Sequence, residues 1–189
     1  GVITALPITV TADPGQTKIY GAADPVPFTY SSDPLIGGDS FIGALTRVAG
    51  ENIGTYAISQ GTLFAGANYN IIFVPDNFVI TARPITVTSA TDTKVYDGNI
   101  NSAGVSTITS GSLATGDTVT WTQTFDTKNI GTGKTLTPAG TVSDGNGGNN
   151  YNVIFVANIT GVITAKAITV TANNATKIFG QTLSFTGAE

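Results

Sequence analysis

Apolar and polar residues alternate at positions 8–11, where Ile8 and Val10 are separated by Thr9 and followed by Thr11. A period of two lays one face of a β-strand against a core and leaves the other polar. The same Ile-Thr-Val-Thr alternation returns at 85–88 and again at 168–171. Each copy is followed, after a turn, by a second short alternating stretch: Thr17-Lys18-Ile19-Tyr20, Thr93-Lys94-Val95-Tyr96 and Thr176-Lys177-Ile178-Phe179. The copies lie roughly 80 residues apart, the size of a small domain rather than a solenoid turn, so the pattern predicts a string of beads.

Within the first bead, Asp13-Pro14-Gly15 reads as a turn. Pro25 and Pro27 precede Phe28-Thr29-Tyr30, which is predicted to be a short edge strand because proline cannot donate to a central ladder. Gly37-Gly38-Asp39 is a turn, and the apolar spacing over 41–48 fits a strand and a helical turn equally. Strands are predicted at 52–58, 69–74 and 78–81, the second apolar on both faces and therefore central. The second bead repeats this order, with Gly116-Asp117, Asn129-Ile130-Gly131-Thr132 and Asn150-Tyr151 in the corresponding places. Its clearest strand is 119–125, with Val119, Trp121 and Phe125 on one face; Trp121 reads as a core anchor.

The boundaries follow from the repeats. Residues 1–5 match 78–82 and 161–165, so they read as the last strand of a preceding repeat. Residues 6–82 and 83–165 are the two beads, and 166–189 reads as the start of a following one. The beads are joined by Leu6-Pro7, Arg83-Pro84 and Lys166-Ala167. Connections this short, two of them with a fixed proline φ, predict stiff joints.

Composition narrows the function classes. The chain is 41% hydrophobic and only 11% charged, with 23 Gly, and Thr, Ser and Asn supply much of the polar remainder. That mixture predicts an all-β fold, which with the repeat spacing gives tandem small β-sandwich-like domains in an elongated array. A net charge of −4 with 8 Lys and Arg argues against nucleic acid or an anionic membrane as partner. No apolar run approaches the ~18 residues of a spanning helix, so membrane insertion is not expected. Without Cys or His there is no disulfide, no thiol nucleophile, no common zinc ligand and no histidine base.

Few groups remain that carry chemistry. The recurrent Lys18, Lys94 and Lys177 read as side chains whose stems cover apolar surface, or as donors for an isopeptide with Asn68 or Asn150. The oxygen-rich loop 144–150 makes Asp144 and Asn146 the calcium candidates, but only Asp144 brings a charge, the spacing is not that of an EF-hand, and a flexible turn is the preferred reading. Asp24, Asp33, Asp39 and Glu51 are the nearest approach to a carboxylate cluster, and nothing in the sequence pairs them. Asp39 and Asp117 follow glycine in matching turns, where a carboxylate is expected to cap a backbone N–H. Abundant Ser and Thr lack a visible base, so no enzyme and no cofactor is predicted.

Several of these strings are specific. Thr17-Lys18-Ile19-Tyr20-Gly21 with Gly38-Asp39, residues 50–56, Gln60-Gly61-Thr62-Leu63 and residues 68–71 resembles the MBG domain of YGX type, a bacterial extracellular repeat. Residues 93–98, which end in Tyr96-Asp97-Gly98, together with Gly116-Asp117, Phe125-Asp126, residues 128–134 and Asn150-Tyr151, resemble its companion, the YDG domain. Thr176-Lys177-Ile178-Phe179-Gly180 with residues 183–187 is similar to the start of another YGX-type repeat, with Phe179 in place of tyrosine. The resemblance implies stalk repeats of a secreted, cell-surface adhesin of the filamentous-haemagglutinin kind, acting in cell adhesion and biofilm formation, and it sets a β-grasp-like arrangement beside the β-sandwich-like one. The alternatives are a module that binds polysaccharide or other cells, and a subunit self-associating into filaments through strand edges. In each case neighbouring repeats of the chain are the first expected partners, and no catalytic or binding residue is carried over.

Overall fold

The structure, a computed structural model, describes residues 1–183, in which fourteen strands and no helix occur. The first bead contains β1 (Leu6–Ala12), β2 (Thr17–Ile19), β3 (Tyr30–Ser32), β4 (Thr46–Arg47), β5 (Gly54–Ser59), β6 (Tyr69–Val74) and β7 (Asn77–Thr81). Its two sheets have the orders β3-β1-β6 and β2-β7-β5-β4. The opening pair β1–β2 and the closing pair β6–β7 are divided between them. β1 runs parallel to β6, with Ile8 opposite Ile71, and β2 runs parallel to β7, with Lys18 opposite Ile80.

The second bead contains β8 (Arg83–Thr88), β9 (Thr93–Val95), β10 (Thr107–Ser110), β11 (Thr118–Phe125), β12 (Gly131–Ser143), β13 (Tyr151–Val156) and β14 (Asn158–Thr164). Its sheets, β10-β8-β13 and β11-β12-β14-β9, repeat the same plan, including the parallel pairs β8–β13 and β9–β14. Only Ala82 separates β7 from β8.

Both sheets of a bead contribute to one core, as the period-two pattern demands. Val10 and Ala12 of β1 meet Ile58, Phe78 and Ile80 of the facing sheet, with Phe28, Leu45 and Leu63 closing the cluster. Phe78 is fully buried and packs edge-on against Phe28 at 5.5 Å. Burial of such a side chain contributes about 1.5–3 kcal/mol, so truncating Phe78 would weaken the contact between both sheets at once. In the second bead Ile85 and Val87 of β8 meet Trp121 and Val142, while Phe125, Leu136 and Ile163 form a further cluster. Of the two expected arrangements this is the sandwich, since a grasp fold needs a helix across its sheet.

Several expectations are corrected. The apolar strands at 69–74 and 151–156 lie at sheet edges, not in the centre: β1 and β8 take the middle positions. Outward-facing Ile72 and Ile154 remain about half exposed, so two-sided hydrophobicity here reflects low charge rather than two-sided burial. The first edge strand begins at Tyr30, and Phe28 before it turns into the core. The ambiguous stretch 41–48 gives an isolated bridge at Ile42 and the two-residue β4. The expected face of β11 holds, with Gln123 added between Trp121 and Phe125. Gln123 fits because its amide donates to the Ala90 carbonyl and to Ser102 Oγ, both at 2.9 Å, and accepts the Ala90 N–H at 2.8 Å.

Residues 1–5 and 165–183 form no strand. Of the third motif copy, residues 184–187 lie outside the described residues.

Candidate functional site

The two beads meet through a set of side-chain hydrogen bonds and an aromatic contact, and the set begins with an aspartate. Asp144 sits in the loop between β12 and β13, where glycines let the chain curl around a carboxylate. Its Oδ1 accepts the N–H groups of Asn146 and Gly148, both at 2.8 Å, and its Oδ2 accepts that of Asn150 at 3.0 Å. Burial alone would raise the pKa of this carboxyl, but the three N–H donors hold it below the usual range. The curled loop presents the Asn150 side chain to the first bead.

Asn150 is completely buried. Its Oδ1 accepts the Ile53 N–H and an Asn146 Nδ2–H, each at 3.0 Å, and its Nδ2 donates to Asn52 Oδ1 at 3.0 Å. Beside it, Tyr20 of the first bead packs edge-on against Tyr151 of the second at 5.5 Å. Tyr151 donates its hydroxyl to Asp117 Oδ2 at 2.5 Å and accepts the Ala114 N–H at 2.8 Å; Tyr20 donates to the other oxygen of Asp117 at 3.4 Å. Burial, reinforced by the Asp117 carboxylate, raises the Tyr151 phenol to about 12 and shifts Tyr20 in the same direction.

Arg83, the first residue of β8, clasps the joint from beside the connection. Its guanidinium donates to the Ser112 carbonyl at 2.6 Å, to Ser112 Oγ at 2.8 Å and to the Tyr20 carbonyl at 3.2 Å. Gly21 follows with φ of +75°, and a Cβ there would overlap that of Ala114. Tyr-Gly is therefore required here both by backbone conformation and by the closeness of the next bead.

A second polar cluster lies within the first bead. Lys18, expected to reach solvent, is buried: its Nζ lies 2.7 Å from Asp24 Oδ1 and also pairs with Glu51. Arg47 bridges the same carboxylates, at 2.7 Å to each, and its guanidinium stacks over Tyr56 and Phe78. The Arg47 and Lys18 hydrogen bonds lower Asp24 to about 2, and Lys18 and Arg47 lower Glu51 as well. Burial works against the charge on Lys18, but its two carboxylate partners outweigh that and leave its pKa raised. A lysine held in the charged form is a poor nucleophile, and neither Asn68 nor Asn150 is its partner, so the isopeptide expectation fails on geometry and on charge.

The remaining sequence candidates fall into place around these two clusters. Lys94 donates to Asp97 and to the carbonyls of Asn99 and Asn101 at 2.8–2.9 Å, while Lys177 is exposed. The four carboxylates considered together are not a cluster: Asp24 and Glu51 share cations, Asp33 accepts the Thr9 N–H at 2.7 Å, and Asp39 accepts the Tyr69 hydroxyl at 2.8 Å. Asp39 and Asp117 thus receive tyrosine hydroxyls in place of the expected backbone N–H caps. The calcium candidates Asp144 and Asn146 both belong to the joint loop. Among the described residues no group of three or more Asp and Glu is placed to hold a metal.

The connection at Arg83-Pro84 was expected to be stiff, but the side-chain contacts across the joint were missed in the sequence, although their parts were visible there. The signal was the paired recurrence of Asn-Ile-Gly in one place and Asn-Tyr in another in both beads.

Comparison with protein families finds the MBG domain (YGX type) over residues 8–79 and the YDG domain over residues 81–161. No curated protein and no solved structure matches the chain. The residues that give these domains their names, Tyr20-Gly21 and Tyr96-Asp97-Gly98, occupy the same position after β2 and β9. Residues 8–79 are thus an MBG domain of YGX type and residues 81–161 a YDG domain, arranged in tandem.

Proposed function

We propose that these domains are spacer repeats of a bacterial cell-surface adhesin, acting outside the cell to hold an adhesive region away from the envelope. The observation that supports this reading is the joint at Asn150. A one-residue connection, a buried asparagine reading the neighbouring bead's backbone, and a guanidinium clasp all oppose bending. Such contacts serve a mechanical element better than a catalytic one. Lys18, Arg47, Asp24 and Glu51 of the first bead are spent on one another, and the low overall charge limits nonspecific adhesion to anionic surfaces. Each bead contributes its own small core, which unfolds only at a cost of several kcal/mol.

Solution scattering of the 189-residue chain, together with binding to a panel of bacterial and host polysaccharides and whole cells, tests the proposal. The expected result is one narrow interbead distance, broadened by Asn150→Ala, and no saturable binding. Saturable micromolar binding to a polysaccharide would overturn the spacer reading in favour of an adhesive module.

A further inference from the structure

The contact seen at Asn150 has an unoccupied counterpart at the other end of the first bead. There Tyr69 donates its hydroxyl to Asp39 Oδ2 at 2.8 Å and accepts the Ile36 N–H at 2.8 Å. Tyr151 makes the same pair of bonds with Asp117 and the Ala114 N–H. The backbone agrees as well. The Tyr69 N–H donates to Gly66 and the Tyr151 N–H to Gly148, both at 3.2 Å, and the carbonyls of Asn68 and Asn150 accept the N–H of Leu6 and Arg83. The two beads therefore present one face built to one plan.

What differs is coverage. Asn150 is completely buried with all its side-chain atoms engaged across the joint, whereas Asn68 is exposed and its side-chain amide makes no hydrogen bond among the described residues. Asp39 is likewise exposed, and a cleft of about 360 Å³ opens beside Asp39, Asn68 and Tyr69. Ile42 and Phe64 stand at its rim, 62% and 47% exposed. An aspartate–tyrosine pair and a free asparagine amide, flanked by apolar side chains, are the features that the Tyr20 and Asn52-Ile53 end engages at the existing joint.

We propose that Asp39, Asn68 and Tyr69 form a docking face for the tyrosine-bearing end of another bead of this family, joined in line ahead of β1. The inference rests on the spacer reading only for its biological purpose. Continuity favours a joined bead over a free partner, because residues 1–5 repeat the closing strand 78–82 that feeds the existing joint. The fit differs in two places. Leu6 stands where Arg83 provides its clasp, and Ile36 stands where Ala114 admits Gly21. The incoming turn therefore sits further out and is held by apolar contact in place of the guanidinium.

The test uses an extended chain in which a second copy of residues 6–82 replaces residues 1–5 ahead of the complete remainder. At the existing joint the Ile53 N–H is held by Asn150, so the Ile53 amide of the leading copy reports the new one. It is expected to exchange with solvent about tenfold or more slowly than in a chain carrying Asn68→Ala in the following copy. The Phe78 amide of the leading copy verifies that this bead is folded. Should that copy not fold, residues 83–165 in the leading place give the same readout at the Ile130 amide. Exchange at equal rates with and without the Asn68 side chain would overturn the proposal and leave the spacer reading, which stands on the Asn150 joint, intact. Concentration-dependent association of the unextended chain, abolished by Asn68→Ala, would instead seat a second copy on the face and overturn the in-line assignment.

Discussion

Asn150 and Asn52, 98 positions apart in the chain, are joined through their side-chain amides at 3.0 Å. The bond crosses from one bead to the next, and Asn150 completes the arrangement by accepting the Ile53 N–H. A buried amide satisfied by a neighbouring domain couples the two folds, because separating them leaves polar groups to be resolvated together.

That coupling is measurable. Asn150→Ala removes both halves of the contact and is expected to destabilise the second bead by about 1–3 kcal/mol. Asn52→Ala removes one hydrogen bond from an exposed residue and should cost less than about 1 kcal/mol. In urea unfolding the double variant is expected to fall short of the sum of the single effects by about 0.5 kcal/mol or more. Strict additivity would show that the beads are only neighbours.

Gly21→Ala carries two penalties that can be separated. With φ at +75°, an alanine is strained by about 1 kcal/mol, and its Cβ must also displace Ala114. Adding Ala114→Gly relieves the overlap and leaves the strain. The pair is therefore expected to recover the interbead distance seen by scattering while only part of the lost stability returns. Full recovery of both would contradict the requirement for a left-handed residue.

The sequence displayed the all-β class and its strands plainly, because alternation over 8–11, 85–88 and 119–125 is a local property and low charge makes strands easy to see. Sandwich and grasp stayed open until the two sheets of each bead were in view. Sheet position was less visible. Ile72 and Phe155 look like residues of central strands, yet they lie at edges, since centrality depends on which strands flank them and not on their own pattern. The joint was the least legible part. Asn150 in a loop of Gly and Asn reads as a flexible turn, and only its proximity to Asn52 reveals a buried role. Lys18 likewise looks like a solvated lysine until Asp24, Arg47 and Glu51, distant in sequence, are seen to surround it.

The Asp24 cluster makes the first bead acid-sensitive in a defined range. The folded pKa of Asp24 is about 2, below its ordinary 3.8, so its contribution is fully present above about pH 4 and is lost as pH falls through about 2. The shift corresponds to on the order of 1–2 kcal/mol after allowance for solvent screening at its partly exposed edge. Glu51 is lowered too and acts in the same direction. Urea midpoints measured from pH 5 to 2 should therefore fall for the wild type and fall less for Asp24→Asn. Parallel curves would assign the acid response elsewhere.

Loop 144–150 allows a final distinction between metal and hydrogen bonds. A calcium ion needs oxygen lone pairs directed at it, and both oxygens of Asp144 are already directed at N–H groups of its own loop. Three backbone donors supply the positive side of the interaction that a cation would otherwise provide. A chelator is consequently expected to leave the melting temperature unchanged, and added calcium to do the same. Asp144→Ala should be costly without any metal, since it frees the N–H groups of Asn146, Gly148 and Asn150 and releases the side chain that reaches Asn52. A loss of about 2–4 kcal/mol, with the interbead distance broadened as in Asn150→Ala, is the expected outcome. Asp144→Asn retains an acceptor oxygen and should recover part of it. A calcium-dependent rise in melting temperature that Asp144→Asn abolished would instead make the loop a cation site.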